Sequence, residues 1–263
     1  MKKGFSRKQL AIPYAVFLIA FVIAPLVIVL KYAFTKADGS LTFENFIHFF
    51  TDSNTIGTLC YSAGIASLAT IVCLLIAYPV AYILARGGFK SGPVILLLFI
   101  MPMWINFTLR ITALKEILTV IEGNLALHPF LNTIIGMTYD FLPFMILPLY
   151  TSFLKLDTDL NEAAADLGAN KLQVFLKITF PLSIPGIVSG VMMVFLPAMT
   201  NYVVLDMLYN STYIMGSLIG SYFAAYDWNN GSLISVVLLI IIFLLTMFTN
   251  RYGEENERGG MAV

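Results

Sequence analysis

The stretch LCYSAGIASLATIVCLLIAYPVAYIL, Leu59 to Leu84, runs without a single charged residue. A helix rises about 1.5 Å per residue and the hydrocarbon core of a bilayer is about 30 Å thick, so roughly 20 apolar residues suffice to cross it. Five further segments have the same character: Ile12–Leu30, Pro93–Leu109, Thr133–Leu154, Ile184–Val203 and Leu233–Asn250. Helix is the conformation they must adopt, because unpaired backbone groups in lipid cost several kcal/mol each and no alternating barrel pattern is present. The expectation is an all-α polytopic membrane protein with six spanning helices in a single domain.

Composition agrees. Of the 263 residues, 59% are hydrophobic and only 11% are charged, against about 25% charged in an ordinary soluble domain. So few charges cannot cover a water-facing surface. The net charge is zero, which suggests no nucleic-acid partner. Cys60 and Cys73 lie in one apolar segment and fit no metal-ligand spacing; they read as small hydrophobes. His48 and His128 also show no ligand spacing, and no metal site is expected. The basic start MKKGFSRKQ precedes an apolar run too long for a secretory leader, with no small-residue cleavage site after it. It reads as a first span entered from the cytoplasm.

Lysine and arginine set the orientation. With six spans and both termini inside, eleven of these residues fall on the inner side. Four, namely Lys31, Lys36, Arg110 and Lys115, fall outside. Acidic residues collect on the outer side or in the outer half of the spans, which attracts a cationic solute; the plainer reading is that the lysine and arginine bias produces this asymmetry. Met207–Tyr226 is uncharged except for its flanks but rich in Asn, Ser, Tyr and Gly. It is expected outside the membrane or dipping into its outer edge. Prolines recur within the spans, among them Pro25, Pro79, Pro102, Pro143 and Pro197, and each removes a helix hydrogen bond.

The most informative segment lies between the fourth and fifth spans: LDTDLNEAAADLGANKLQVFLKITFPLSIPG, Leu156 to Gly186, with the loop proper at 156–183. Asp157 or Thr158 can cap a helix whose first turn is acidic. Leu160, Ala163, Ala164 and Leu167 follow at i, i+3, i+4 and i+7 and share one face. Gly168 suits a left-handed cap, and a second helical stretch runs from Asn170 to Pro181. The spacing predicts a knob with small residues at its tip and the Glu162 carboxylate beside them. The other reading is an interfacial helix on the bilayer, which its acidic polar face disfavours.

Glu162-Ala163-Ala164, then Gly168, then Ile178 and Pro181, resemble the EAA loop of the binding-protein-dependent ABC importer permeases. Phe180 stands where that pattern usually has leucine. The resemblance implies a type I ABC importer permease fold in a bacterial inner membrane. It also implies docking of this loop into a cytoplasmic ATPase present in two copies, a second homologous permease subunit, and an external substrate-binding protein. Glu162 would carry the charged contact, Gly168 the turn, and Leu160, Ala163, Ala164 and Leu167 the apolar contact. The chain itself would be no enzyme and hold no cofactor, with ATP and magnesium on the ATPase; no GxxxxGK[ST] loop occurs in the sequence.

Three further stretches, MPMWINFTLR (Met101–Arg110), FLPFMILPLYTSFLKLD (Phe141–Asp157) and LPAMTNYVVLDM (Leu196–Met207), resemble the polyamine (spermidine/putrescine) branch of that family. An ammonium chain needs carboxylates and aromatic faces. Trp104, Asn106, Tyr139, Asp140, Tyr202 and Asp206 are therefore the expected transport-path residues. Alternative roles stand beside these: an interfacial aromatic belt for Trp104 and Tyr202, solvation for Asp206, and an internal ion pair of Asp140 with Arg110 or Lys115. A carboxylate within a span costs about 2.5–3.5 kcal/mol or more unless it is paired or faces water. Permeation of another small solute is the alternative within the family. An autonomous secondary carrier would show repeats and several deep charges, and a membrane enzyme clustered catalytic groups; neither pattern is present.

Overall fold

The computed structural model describes residues 7–36, 38–88, 91–157 and 159–259, excepting the side chains of 7–11, 161, 162, 165 and 248–259. Lys2, Lys3, Lys90 and Thr158 lie outside the described residues, as do the side chains of Glu162, Arg251 and Arg258. Among the described residues the chain is helical, with no strand beyond one isolated bridge between Thr35 and Leu41. Among the described residues five helices are long and apolar enough to cross a membrane, or six if the bent pair Gly92–Trp104 and Phe107–Glu122 counts as one span. The chain divides into two compact units, Met1–Gly57 with Ser217–Ile241, and Thr58–Gly216 with Ile242–Val263.

The first unit begins with α1 (Arg7–Leu18) and α2 (Ala24–Ala33), joined by a π-helical turn at Ile19–Ile23. The turn has a local cause. Pro25 has no N–H to give the i−4 carbonyl, and just ahead of it Ala24 N–H reaches Ile19 O, five residues back. None of the apolar window in Ile12–Ala33 is buried. Short α3 (Glu44–Thr51) follows, and α4 (Ser53–Arg86) starts in this unit. Asn45 and Asn229 both donate to the Thr35 carbonyl, at 3.1 and 2.6 Å, and so tie the end of α2 to the start of the last helix.

The second unit is built around α7 (Pro129–Lys155), after α5 (Gly92–Ile100) and α6 (Phe107–Glu122). Met137, Met145, Ile146, Leu149 and Phe153 of α7 are fully buried, as expected of a helix apolar on every side. Next come α8 (Asp159–Asp166), α9 (Lys171–Val174), a π-helical turn at Phe175–Thr179 and α10 (Phe180–Ala198). This second π-turn also ends two residues before a proline, Pro181, and Phe180 N–H bonds to Phe175 O. α10 packs along α7 through small residues. A Cβ on Gly186 would stand 2.5 Å from Ser152 Cβ, and one on Gly190 2.5 Å from Met145 Sδ. The short helix α11 (Tyr202–Met207) follows in this unit; most of α12 (Met215–Ala224) and the first part of α13 (Trp228–Gly259) belong to the first unit, and α13 returns to the second from Ile242.

Three expectations need correction. The span Pro93–Leu109 is not one helix: α5 ends at Ile100, a 3₁₀ turn covers Met101–Trp104, and α6 leaves at 102°. Pro102 interrupts the ladder. Asn106 then starts a new helix by accepting the N–H groups of Thr108 (3.0 Å) and Leu109 (3.4 Å). The fifth span does not reach Val203; a continuous helical run from Lys171 ends at Ala198 beside Pro197, and Tyr202 opens α11. The stretch after Asn170, by contrast, does not stop at Pro181 but runs on into α10, because the π-turn just before the proline accommodates its missing N–H donor. The segment after Met207 carries Leu208, Asn210, Ile214 and Met215 in buried positions, with Asn210 Nδ2 donating to Thr133 Oγ1 at 2.9 Å.

Candidate functional site

The α8–α9 corner is set by a sequence of local bonds. Leu156 leaves α7 in an extended conformation, and Asp157 Oδ1 accepts the Asp159 N–H at 3.0 Å, which caps α8. Of the two expected caps, Asp157 makes this bond and Thr158 lies outside the described residues. α8 ends as Ala169 N–H returns to Ala164 O at 3.0 Å, with Gly168 at φ +85° between them. That is the left-handed closure that glycine provides. Asn170 and Gln173 then form a reciprocal capping box, both bonds 2.9 Å, which starts α9. The corner is thus defined at each end by a side chain.

Its apolar face is uncovered by the chain. Leu160 and Ala163 are exposed, Ala164 is half-buried, and Leu167 is 90% exposed. Leu172 and Leu176 add to the same exposed region. A helix of eight residues is not stable alone in water, so packing must hold it. α8 rests on α9 and on the π-turn, while its leucines face outward. Glu162 lies in α8 by its backbone.

The corner is anchored by groups the sequence reading did not single out. Tyr78 and Tyr82 of α4 meet Phe153 of α7 edge-on at 5.1 and 5.4 Å, and Phe175 of the π-turn at 5.9 and 6.3 Å. Edge-to-face contacts at such separations are favourable. Arg86, in the last turn of α4, donates to the Leu156 carbonyl. These aromatic residues carry no signal of a shared cluster in the sequence; only the fold brings the ends of their helices together.

The expected path residues are distributed differently. Asp140, in α7, forms an ion pair with Arg110, in the first turn of α6; their side chains are 5% and 6% exposed. Arg110 is therefore buried between helices, not part of an outer aqueous loop, because the bend after Trp104 turns α6 back onto α7. Lys115, the other partner considered, lies over the Tyr209 ring at 4.4 Å. Among the described residues, Nε and Nη1 of Arg110 and Oγ1 of Thr138 are buried without a hydrogen-bond partner. Asn106 acts as the cap of α6. Trp104 (77%), Tyr139 (40%) and Tyr202 (39%) expose their rings, and Asp206 is exposed on α11. α11 packs against both α6 and α7, so Tyr202 and Asp206 stand on a helix next to the buried pair.

Residues 77–254 match the family model described as the binding-protein-dependent transport system inner membrane component. The chain belongs to that family. It is 37% identical to the spermidine/putrescine transport system permease protein PotB of Haemophilus influenzae, over 97% of this chain and 96% of the relative. To PotB of Escherichia coli it is 36% identical, over 88% of this chain and 91% of the relative. Among solved structures, a chain of a bacterial ABC transporter that imports the acidic polysaccharide alginate superposes with a TM-score of 0.70 at 14% identity, covering 94% of each chain. A chain of the MetNI methionine ABC transporter gives 0.59 at 18% identity, covering 78% of this chain and 99% of that one. At these identities the likeness to solved structures establishes the fold alone; the family match and the 36–37% identical relatives make the chain an ABC importer permease, a multi-pass transport component.

Proposed function

We propose that the chain is one of two membrane subunits of an ATP-driven polyamine importer, and that α8 is the element through which ATP hydrolysis drives it. The observation that carries the coupling role is the exposed apolar face of α8 at Leu160, Ala163 and Leu167, on a corner fixed by Asp157, Gly168 and Asn170. An uncovered helix of this kind fits the groove of a partner. The partner is a cytoplasmic ATPase present in two copies, which holds the ATP and magnesium. Glu162 offers it a carboxylate. The lysine and arginine bias places this corner, with both termini, in the cytoplasm of a bacterium whose inner membrane the chain spans. A second, homologous permease completes the path, and an external binding protein delivers the solute.

Polyamine as the solute rests on the resemblance to spermidine/putrescine permeases along nearly the whole chain. Physical features support it. Asp206 offers an exposed carboxylate, and Trp104, Tyr139 and Tyr202 offer ring faces to an ammonium chain. Asp140 is already neutralised by Arg110, so its part is to fix α6 against α7, with Asn106 starting that helix. The fold itself does not select the solute, since the same architecture serves alginate and methionine importers. The test is uptake of labelled spermidine and putrescine by the reconstituted assembly. ATP-dependent uptake, competed by unlabelled polyamine and not by methionine or oligosaccharide, is expected. ATP-dependent uptake of a different solute class, with none of polyamine, contradicts the assignment.

A further inference from the structure

Both ends of the α7–α10 connection are held by the C-terminal part of α4, from Tyr78 to Arg86. At the entry, Arg86 donates to the carbonyl of Leu156, one of the acceptors that a helix C-terminus leaves unpaired. At the exit, Tyr78 Oη lies 3.0 Å from Ser183 Oγ. Ser183 gives its own proton to the Phe180 carbonyl at 2.8 Å. A hydroxyl has one proton to give, so Tyr78 is the donor to Ser183, and the bonds run in one direction from α4 to the start of α10. Ser183 is fully buried. The Tyr78 ring also meets Phe153, Phe175 and Phe180, at 5.1, 5.9 and 6.1 Å. Pro79, the next residue, removes one hydrogen bond from α4, so the segment beyond it bends more easily than the rest of the helix.

We infer that the Tyr78–Arg86 segment is a clasp that makes α4 follow the motion of α8, with Tyr78 and Arg86 as positioning residues. The inference rests on the coupling role proposed for α8. A push on α8 passes to α9 and the π-turn, on which it rests. A π-turn is a weak point in a helix, so without a lateral tie the displacement would dissipate there. Tyr78 and Arg86 grip the connection on both sides of that weak point and carry the displacement into a helix of 34 residues.

The test uses the complete importer in proteoliposomes and reads solute imported per ATP hydrolysed. Tyr78→Phe keeps the ring and removes the hydroxyl; Ser183→Ala removes the acceptor. Each is expected to lower the ratio roughly five-fold, the effect of losing one hydrogen bond of ordinary strength. The ATPase should remain bound and its hydrolysis rate be retained. The double variant should fall no further than either single one, because both remove the same bond. Arg86→Gln should lower the ratio as well. Wild-type ratios in Tyr78→Phe and Ser183→Ala would overturn the clasp while leaving the coupling role of α8 intact. Loss of the ATPase from either variant would show a merely structural bond and would also overturn it. Failure of the unmodified importer to couple ATP to import would remove the coupling role and the clasp together.

Discussion

Arg110 and Asp140 face each other across α6 and α7, and both are almost entirely buried. Removing one partner leaves the other charge uncompensated in a low-dielectric site, which costs about 3–5 kcal/mol. Asp140→Ala is therefore expected to lower the melting temperature in detergent sharply. The pair Arg110→Met with Asp140→Leu should recover most of the loss, because apolar residues of similar size need no compensation. Equal destabilisation by the double and the single variants would show that the pair does not act as a unit.

Gly186, like Gly190, lets α10 lie tightly against α7. Its Cβ position lies 2.5 Å from Ser152 Cβ and 3.2 Å from the Pro148 carbonyl. Gly186→Val is expected to destabilise the fold by about 1–3 kcal/mol through overpacking, read as thermal melting. Ser152→Gly in the same chain should restore part of it, since it removes the nearest obstructing atom.

Gly168 has open space around it but a φ of +85°. Here the backbone, not the packing, restricts the residue. Gly168→Ala costs about 1 kcal/mol locally, which is small against the fold. Expected is normal insertion and melting with reduced ATP-driven import, because α8 no longer meets α9 at the same angle. Gly168→Asn should import more than Gly168→Ala, since asparagine tolerates the left-handed region better.

Asp52 caps α4, accepting from Thr55 Oγ1 at 2.5 Å and Thr55 N–H at 3.0 Å. The Thr55 hydroxyl first, then its amide, hold the Asp52 carboxyl below the usual carboxylate range. The folded-state pKa is depressed, so this contribution is fully present above the unfolded value of about 3.9 and is lost as pH falls through the lower, folded value. Amide-exchange protection at Thr55, measured against the intrinsic rate at each pH, should fall only under those acidic conditions. Asp52→Asn should remove the pH dependence, because the amide does not titrate.

Much of this was legible in the residues. The spans are long and apolar, and the Leu156–Gly186 pattern fixes both α8 and its glycine corner. What was not legible depends on prolines and on tertiary pairing. Met101–Arg110 keeps its hydrophobicity across the break at Pro102, so hydropathy cannot reveal that Asn106 starts a new helix at 102° to the old one. Arg110 counts with the outer charges by its position in the sequence, and of the two partners considered for Asp140 only the bend selects it over Lys115. Val203 likewise looks continuous with the fifth span until Pro197 and Asn201 are seen to end it. Tyr78, Tyr82, Phe153, Phe175 and Phe180 carry no local signal of a shared cluster, because their meeting requires three helix ends to converge.

The central claim concerns the uncovered face of α8. Its most direct test is site-directed cross-linking from Ala163→Cys and Leu167→Cys, with Cys60 and Cys73 replaced by alanine. The account predicts adducts with the ATPase subunit from both positions, formed from the cytoplasmic side and altered when ATP is bound. Labelling of these cysteines by an impermeant reagent from outside the cell, or adducts with no nucleotide-binding polypeptide, would contradict it.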